Sequence, residues 1–198
     1  MYTHNMRIYT PPDAVLVPDR AVKVFEGVIY NVYQWEQDMF DGSQKTFEMI
    51  KRPDTVEIIA VHEGKIIVSN EEQPHAGSFV SLPAGMHDVP EEDELTAAKR
   101  ELREETGYSF KNWKLISTKT WSNKIEQIVY YFLATELDLI EKQDLDLDGE
   151  RIEVMPVAFD AYKAMKNDPC MKFYPSHIMD ELSSLDELLD LPALYEYK

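Results

Sequence analysis

Three glutamates, Glu101, Glu104 and Glu105, are the residues of this chain best suited to chemistry. On an α-helix their spacing is i, i+3 and i+4, so all three carboxylates can point in one direction. Carboxylates placed so close repel one another unless a cation lies between them, and Mg²⁺ prefers oxygen ligands. The spacing therefore indicates a site for a hard divalent cation. The alternative is a solvated acidic helix whose glutamates pair with neighbouring basic side chains.

The stretch around these glutamates resembles the Nudix box. The family pattern runs Gly, five residues, Glu, seven residues, Arg-Glu, an aliphatic residue, any residue, Glu-Glu, any residue, Gly, and an aliphatic or aromatic residue. The positions of this chain that match the pattern are Gly85, Glu92, Arg100, Glu101, Leu102, Glu104, Glu105, Gly107 and Tyr108. The chain has one residue more than the pattern between Gly85 and Glu92, so either Glu92 or Glu91 takes the place of the family's first glutamate.

The resemblance implies hydrolysis of a pyrophosphate bond with Mg²⁺, or with Mn²⁺ in its place. This reaction needs neutralisation of the diphosphate charge, a positioned water and a base. By resemblance, Glu101 and Glu105 are the main catalytic metal ligands and Glu104 is a third. A main-chain oxygen at Ala84 or Gly85 is expected to add a further ligand.

Arg100 belongs to the same catalytic group by resemblance, in a supporting role. We expect its guanidinium to pair with Glu92 or Glu91 and so to hold the loop before the helix in place. Direct contact between Arg100 and the substrate is the alternative.

A helix must position these residues, and the sequence predicts where it runs. Pro90 and the acidic run that follows it suit a helix start, because acidic residues complement the helix dipole. Leu95, Ala98 and Leu102 recur at helical spacing and predict a buried stripe. Gly107 is expected to end the helix as its C′ residue.

The rest of the chain predicts an α/β (α+β) fold, a mixed sheet with helices packed on its faces. Segments rich in β-branched and aromatic residues alternate with turn residues both before and after the acidic helix. The expected strands lie within 22–36, 43–52, 55–62, 65–69, 78–83, 113–121, 126–137 and 151–157, and the expected later helices within 159–166 and 176–189. The Nudix fold is similar, with a mixed sheet sandwiched between helices.

The segment before the box resembles the ADP-ribose pyrophosphatase-like branch of the Nudix superfamily. Residues 24–36, the Asp41-Gly42 turn and residues 47–61 carry this resemblance. It implies an N-terminal antiparallel sheet that reaches across a homodimer. We therefore expect an arm and dimerisation sheet over residues 1–53 and the hydrolase domain over residues 54–198.

The general base is expected from a loop before a late strand, as in that branch. Glu150 is the first candidate and Glu153 the second. The alternative is that both are surface acids ahead of a strand.

The residues expected to bind substrate are Arg52, Trp35, Gly85 and Glu92. Arg52 stands where the branch places a phosphate-binding arginine, and a solvated turn arginine is the alternative. Trp35 could stack on a base, although a strand tryptophan also suits a core or an interface.

Two departures from the branch leave the substrate open. The stretch SNEEQPHAG before the box contains no arginine, and TWSNKIEQ beyond the box contains no proline. ADP-ribose or a related nucleotide sugar, cleaved to a nucleoside monophosphate and a sugar phosphate, is expected first. A (d)NTP or dinucleoside polyphosphate pyrophosphohydrolase is an alternative, and a nucleotide-sensing domain without turnover is another.

Composition narrows the possible partners. The formal net charge of −17 argues against nucleic acid and against anionic membranes, since both require a basic surface. The chain has one cysteine, Cys170, which is typical of a reducing compartment. No apolar run has the length of a membrane span, and the first residues carry no apolar signal region. A cytoplasmic location and a small nucleotide-type substrate are the resulting expectations.

Overall fold

The computed structural model describes residues 6–144 and 151–197. Its strands form one ten-stranded sheet: β1 Val22–Glu26, β2 Asn31–Asp38, β3 Gln44–Lys51, β4 Asp54–His62, β5 Lys65–Gln73, β6 Gly77–Ser81, β7 Ala84–His87, β8 Tyr108–Ser122, β9 Ile125–Ile140 and β10 Arg151–Ala158. Its helices are α1 Glu94–Thr106, α2 Phe159–Ala164, α3 Ser176–Met179 and α4 Leu185–Leu189, with a 3₁₀ turn at Met165–Asn167.

The sheet is mixed, as the sequence predicts. The strand order is β1-β2-β3-β9-β4-β5-β10, while β6 pairs with β5, β7 with β4 and β8 with β9. Strand β9 runs parallel to both β3 and β4, and the other pairs are antiparallel. The expected α/β fold with a mixed sheet between helices is confirmed.

Strand β4 is covered on both of its faces. Val56 and Ile58 belong to the apolar cluster that receives Leu102 of α1. Ile59 belongs to a second cluster on the other face, together with Tyr162 of α2. This double burial explains why β4 is a nearly continuous apolar run rather than an alternating one.

Helix α1 begins later than the sequence suggests. The first helical residue is Glu94, and the Asp93 carboxylate caps the helix by accepting the Thr96 N–H at 2.7 Å. Glu91 has a left-handed φ of 66°, which interrupts a helix at that residue. Asp93 follows this interruption, and aspartate is a favoured N-cap residue. The expected end is confirmed, because Gly107 has a φ of 75° and donates its N–H to the Arg103 carbonyl.

The N-terminal hairpin sheet of β1, β2 and β3 is present and continues into the main sheet. Its junction is the parallel pairing of Ile50 on β3 with Ile125 on β9. The division of the chain at residue 53 therefore remains a prediction. In the part of the chain that the structure describes, no helix is long and apolar enough to cross a bilayer.

Candidate functional site

Arg100 organises the acidic helix and the loop before it. Its Nε and Nη2 each lie 3.1 Å from the Glu92 carboxylate, and Nη2 also donates to the Met86 carbonyl at 3.1 Å. Its Nη1 donates to Glu101 at 2.7 Å and to Glu104 at 3.2 Å. One guanidinium thus joins the loop to α1 and holds two of the three box carboxylates. Of the two partners expected for Arg100, the structure places Glu92 against it.

Glu101 lies against the backbone of β7 at Gly85. A Cβ atom on Gly85 would overlap the Glu101 carboxylate, so any other residue at this position would force that carboxylate to move. Burial raises the pKa of the Glu101 carboxyl, although the neighbouring Arg100 charge opposes the shift.

Glu105 reaches the same strand one residue earlier. Its Oε2 accepts the Ala84 N–H at 3.1 Å. Glu101 and Glu105 therefore meet Gly85 and Ala84 on consecutive residues of β7, next to the main-chain oxygens expected to bind metal.

These residues fit a hard divalent cation by their donor chemistry, since Glu101, Glu104, Glu105 and a main-chain oxygen are all oxygen donors. Glycine at position 85 leaves the space that the Glu101 carboxylate occupies beside the backbone. Among the described residues, no three acidic, histidine or cysteine side chains already surround one point. Binding of a metal therefore requires the glutamates to exchange some of their contacts with Arg100 and Ala84.

A cavity of about 490 Å³ borders the box at Gly85. Arg52, Glu57 and Glu71 supply its charged lining, and Phe79, Trp121 and Phe173 supply its aromatic lining. The structure thus brings Arg52 and Gly85, two of the residues expected to bind substrate, to one cavity. The Arg52 guanidinium lies 5.5 Å from the Tyr30 ring centre, and its Nε has no hydrogen-bond partner within the described residues.

Sequence reasoning did not single out Glu57. It lies on β4 opposite Ala84 of β7 and is 5% exposed. The Tyr131 hydroxyl donates to its Oε1 at 3.5 Å, while its Oε2 has no partner among the residues described. Burial raises the pKa of Glu57 to about 8, and the Lys119 charge and the Tyr131 hydroxyl offset only part of this shift. The sequence feature that could have identified Glu57 is an acidic residue within a largely apolar strand.

Glu71 is the second carboxylate of the cavity that sequence reasoning missed. The sequence predicts that this strand ends at residue 69, but β5 continues to Gln73 and carries Glu71 into a buried position. The Ser81 hydroxyl donates to Glu71 at 2.5 Å, and the Gln73 amide donates at 3.3 Å. These donors fix the orientation of the carboxylate.

The remaining predicted residues lie elsewhere or outside the described part. Trp35 packs against Phe47 on the N-terminal hairpin, with ring centres 6.0 Å apart, and is not brought to this cavity. Glu92 faces Arg100. Glu150 lies outside the described residues, and Glu153 lies on β10 opposite Asn70.

Comparisons with known proteins identify relatives of this chain. The model of the NUDIX domain matches residues 51–173. The chain is 37% identical to an ADP-ribose pyrophosphatase of Bacillus subtilis over 150 residues, covering 73% of this chain and 80% of that protein. It is 30% identical over 145 residues to a methanol dehydrogenase activator of Bacillus methanolicus, covering 71% of this chain and 77% of the relative.

A solved structure described as an ADP compounds hydrolase superposes with a TM-score of 0.62 at 17% identity, covering 75% of this chain and 81% of the other. That likeness concerns the fold. The family match over residues 51–173 and the sequence identity to the Bacillus subtilis protein together show that this chain belongs to the Nudix hydrolase family.

Proposed function

We propose that this Nudix pyrophosphohydrolase cleaves a nucleoside diphosphate linked to a second moiety, with ADP-ribose or a related nucleotide sugar as substrate and Mg²⁺ as cofactor. The products are a nucleoside monophosphate and a sugar phosphate. The observation that carries the proposal is the meeting of Glu101 and Glu105 with Gly85 and Ala84 at the edge of the cavity that Arg52 also lines. Similarity to an ADP-ribose pyrophosphatase supports the choice of substrate.

Each part of the site has a role in this reaction. When bound, Mg²⁺ supplies neutralisation of the diphosphate and a more acidic water. Glu101, Glu104 and Glu105 would hold it, while Arg100 keeps the helix and the preceding loop in register. The Arg52 guanidinium lines the cavity, and its Nε has no hydrogen-bond partner among the described residues, so this group suits a phosphate oxygen. Glu150, or Glu153 in its place, would accept the proton of the attacking water.

We also propose that the protein is a homodimer that pairs through the N-terminal hairpin sheet. All residues of β1 are exposed, and they include Val22, Val24 and Phe25. Val28, in the following turn, is 86% exposed. Exposed apolar side chains concentrated in one element are typical of an interaction surface. Sedimentation of the wild type and of Phe25→Glu tests this, since the substitution should give monomers.

Product analysis with ADP-ribose, with and without Mg²⁺, tests the reaction. We expect metal-dependent release of AMP, and a loss of at least about 100-fold in kcat for Glu105→Gln, since removal of a metal-binding charge costs several kcal/mol in the transition state. Glu181→Gln is the matched control, because Glu181 is an exposed acid near the C-terminus.

Three results would contradict the proposal. Turnover of nucleoside triphosphates alone would keep the Nudix reaction and change the substrate. Binding of ADP-ribose without turnover would indicate a sensor. Full activity of Glu105→Gln would show that the metal site is not on α1.

A further inference from the structure

The Glu57 carboxyl, on the lining of the cavity, is buried but incompletely hydrogen-bonded. A buried acid without full hydrogen bonding destabilises the fold, because its loss of hydration is not compensated. Glu57 is 5% exposed, it receives one long contact from Tyr131, and its Oε2 has no partner in the described part of the chain. Glu57 lines the 490 Å³ cavity, so a ligand that reaches this carboxyl would supply the hydrogen bond that it lacks.

The position of Glu57 identifies the part of the ligand that it meets. Its partner across the strands is Ala84, the residue that precedes Gly85. Glu57 is therefore one strand position away from the point where Glu101 meets the backbone, which is where the diphosphate is expected. In a nucleoside diphosphate sugar, the groups bonded directly to the diphosphate are sugar rings, and the base lies one ring further away.

The chemistry of the lining favours a sugar over more phosphate. Carboxyl oxygens are good acceptors for hydroxyl groups, and Glu71 is a second carboxylate on the same cavity. The Ser81 hydroxyl fixes Glu71 in place, so its orientation does not have to be established by the ligand. The Glu71 carboxylate on this wall opposes a longer chain of anionic phosphates, since like charges at short range repel.

We propose that Glu57 and Glu71 form a receptor for the hydroxyl groups of the sugar attached to the diphosphate, so that the site selects nucleoside diphosphate sugars over nucleoside triphosphates. This inference rests on the proposed function and deepens it. It makes Glu57 and Glu71 specificity-determining residues, distinct from the metal-binding glutamates of α1.

The test compares two substrates that differ only in this group. ADP-ribose carries the sugar, and the methyl ester of ADP on its terminal phosphate replaces the sugar with a methyl group. Glu57→Leu keeps the volume of the side chain and removes both oxygens. We expect it to lower kcat/KM for ADP-ribose by about 10- to 100-fold, since a site built to bind a hydroxyl discriminates strongly when that hydrogen bond is lost. Turnover of the methyl ester should change by less than about threefold.

The control is Glu72→Gln, an exposed acid next to Glu71 that pairs with Arg151. It should leave both substrates unaffected, and thermal melting should show that every variant is folded. If Glu57→Leu lowers kcat/KM equally for both substrates, or for neither, the proposal of a sugar receptor is overturned.

Binding of ribose 5-phosphate, measured by calorimetry, separates this inference from the proposed function. If the wild type cleaves neither ADP-ribose nor the methyl ester, the proposed function fails, and the receptor is then decided by binding alone. Weaker binding of ribose 5-phosphate to Glu57→Leu than to the wild type supports the receptor. Equal binding to the two proteins, or absence of binding to the wild type, overturns it.

Discussion

Glu94 and Glu57 are both buried acids, but their surroundings differ in every other respect. Glu94 is fully buried at the start of α1, where it accepts the N–H groups of Ile8 at 3.0 Å and Tyr9 at 2.7 Å. The Tyr197 hydroxyl adds a third hydrogen bond at 2.8 Å. Glu57 has one contact at 3.5 Å and an oxygen without a partner among the described residues.

The difference separates a structural acid from a functional one. Glu94 joins residues near both ends of the chain to the first turn of the box helix, and its charge also complements the helix dipole. A carboxylate with three donors stabilises the fold, because each hydrogen bond to a charged group is favourable. Among the described residues, no group gives Glu57 a comparable set of hydrogen bonds. Its partner must come from a ligand if the residue is to do more than destabilise the fold.

The largest effect is expected for Glu94→Ala. This change leaves two backbone N–H groups and the Tyr197 hydroxyl without their acceptor, and each buried unsatisfied group costs about 1–3 kcal/mol. We expect a loss of about 4 kcal/mol in the free energy of unfolding, measured by urea denaturation. The matched control is Lys99→Ala on the exposed side of α1, with an effect below about 0.5 kcal/mol. A loss below about 1 kcal/mol for Glu94→Ala would remove the contrast with Glu57.

Glu126 is another buried acid with a structural role, and its contribution to the stability of the fold depends on pH. Its carboxylate receives Arg7 at 3.0 Å, Lys51 at 2.7 Å and the Val17 N–H at 2.6 Å. Burial alone would raise the pKa of Glu126, but its hydrogen bond to Lys51 and the nearby cations outweigh burial and lower it. The contribution of Glu126 is therefore present above the pKa of the unfolded chain and is lost as the pH falls through the folded pKa.

Glu126→Gln should accordingly lose about 2 kcal/mol of stability near pH 7, because Lys51 loses its counter-charge and Arg7 keeps only that of Asp54. The difference from the wild type should shrink as the pH falls through the lowered pKa of Glu126, since the wild-type carboxylate then becomes protonated. Urea titrations of both proteins at several pH values measure this. A difference that stays constant down to acid pH would show that the charge of Glu126 is not what stabilises the fold.

The effect of Glu57→Gln on stability should have the opposite pH dependence to that of Glu126→Gln. Because the folded pKa of Glu57, about 8, lies above its ordinary value, the stability contribution is complete below the unfolded pKa and is lost as the pH rises through the folded pKa. The substitution should therefore have little effect near pH 5 and should stabilise the metal-free protein by at least about 1 kcal/mol near pH 9. The charged groups facing this carboxyl include Lys119. Thermal melts in EDTA at the two pH values measure the shift, and destabilisation at pH 9 would place Glu57 with the structural acids.

The sequence predicts the acids of the box helix because their relation is local. The spacing of Glu101, Glu104 and Glu105, and the role of Gly107, depend on one helix and its end. The mixed sheet is predictable for a similar reason, since alternating turn residues and β-rich segments mark most of its strands.

Glu94 and Glu57 differ in ways that no local pattern contains. Within the acidic run after Pro90, no local pattern marks Glu94, and it is distinguished by its contacts with Ile8, Tyr9 and Tyr197, which are distant in the sequence. Glu57 looks like one polar residue in an apolar strand, and its state depends on Ala84 opposite and on the cavity between distant strands. Such long-range contacts decide whether a buried acid receives the hydrogen bonds that offset its loss of hydration.

The smallest expected effect is that of Tyr197→Phe, which removes one of the three donors to Glu94. The ring is retained and keeps its contacts with Tyr195 and Phe132, at 5.1 and 5.8 Å between centres. We expect a loss of about 1 kcal/mol, because the Glu94 carboxylate keeps both backbone donors. Tyr195→Phe is the matched control, since it leaves the donors of Glu94 intact and should change the melting temperature little. In a double-mutant cycle, Tyr197→Phe should cost nothing once Glu94 is alanine. A loss that persists in the Glu94→Ala background would mean that this hydroxyl stabilises something other than the Glu94 carboxylate, and that the C-terminal end is not held to the box helix through it.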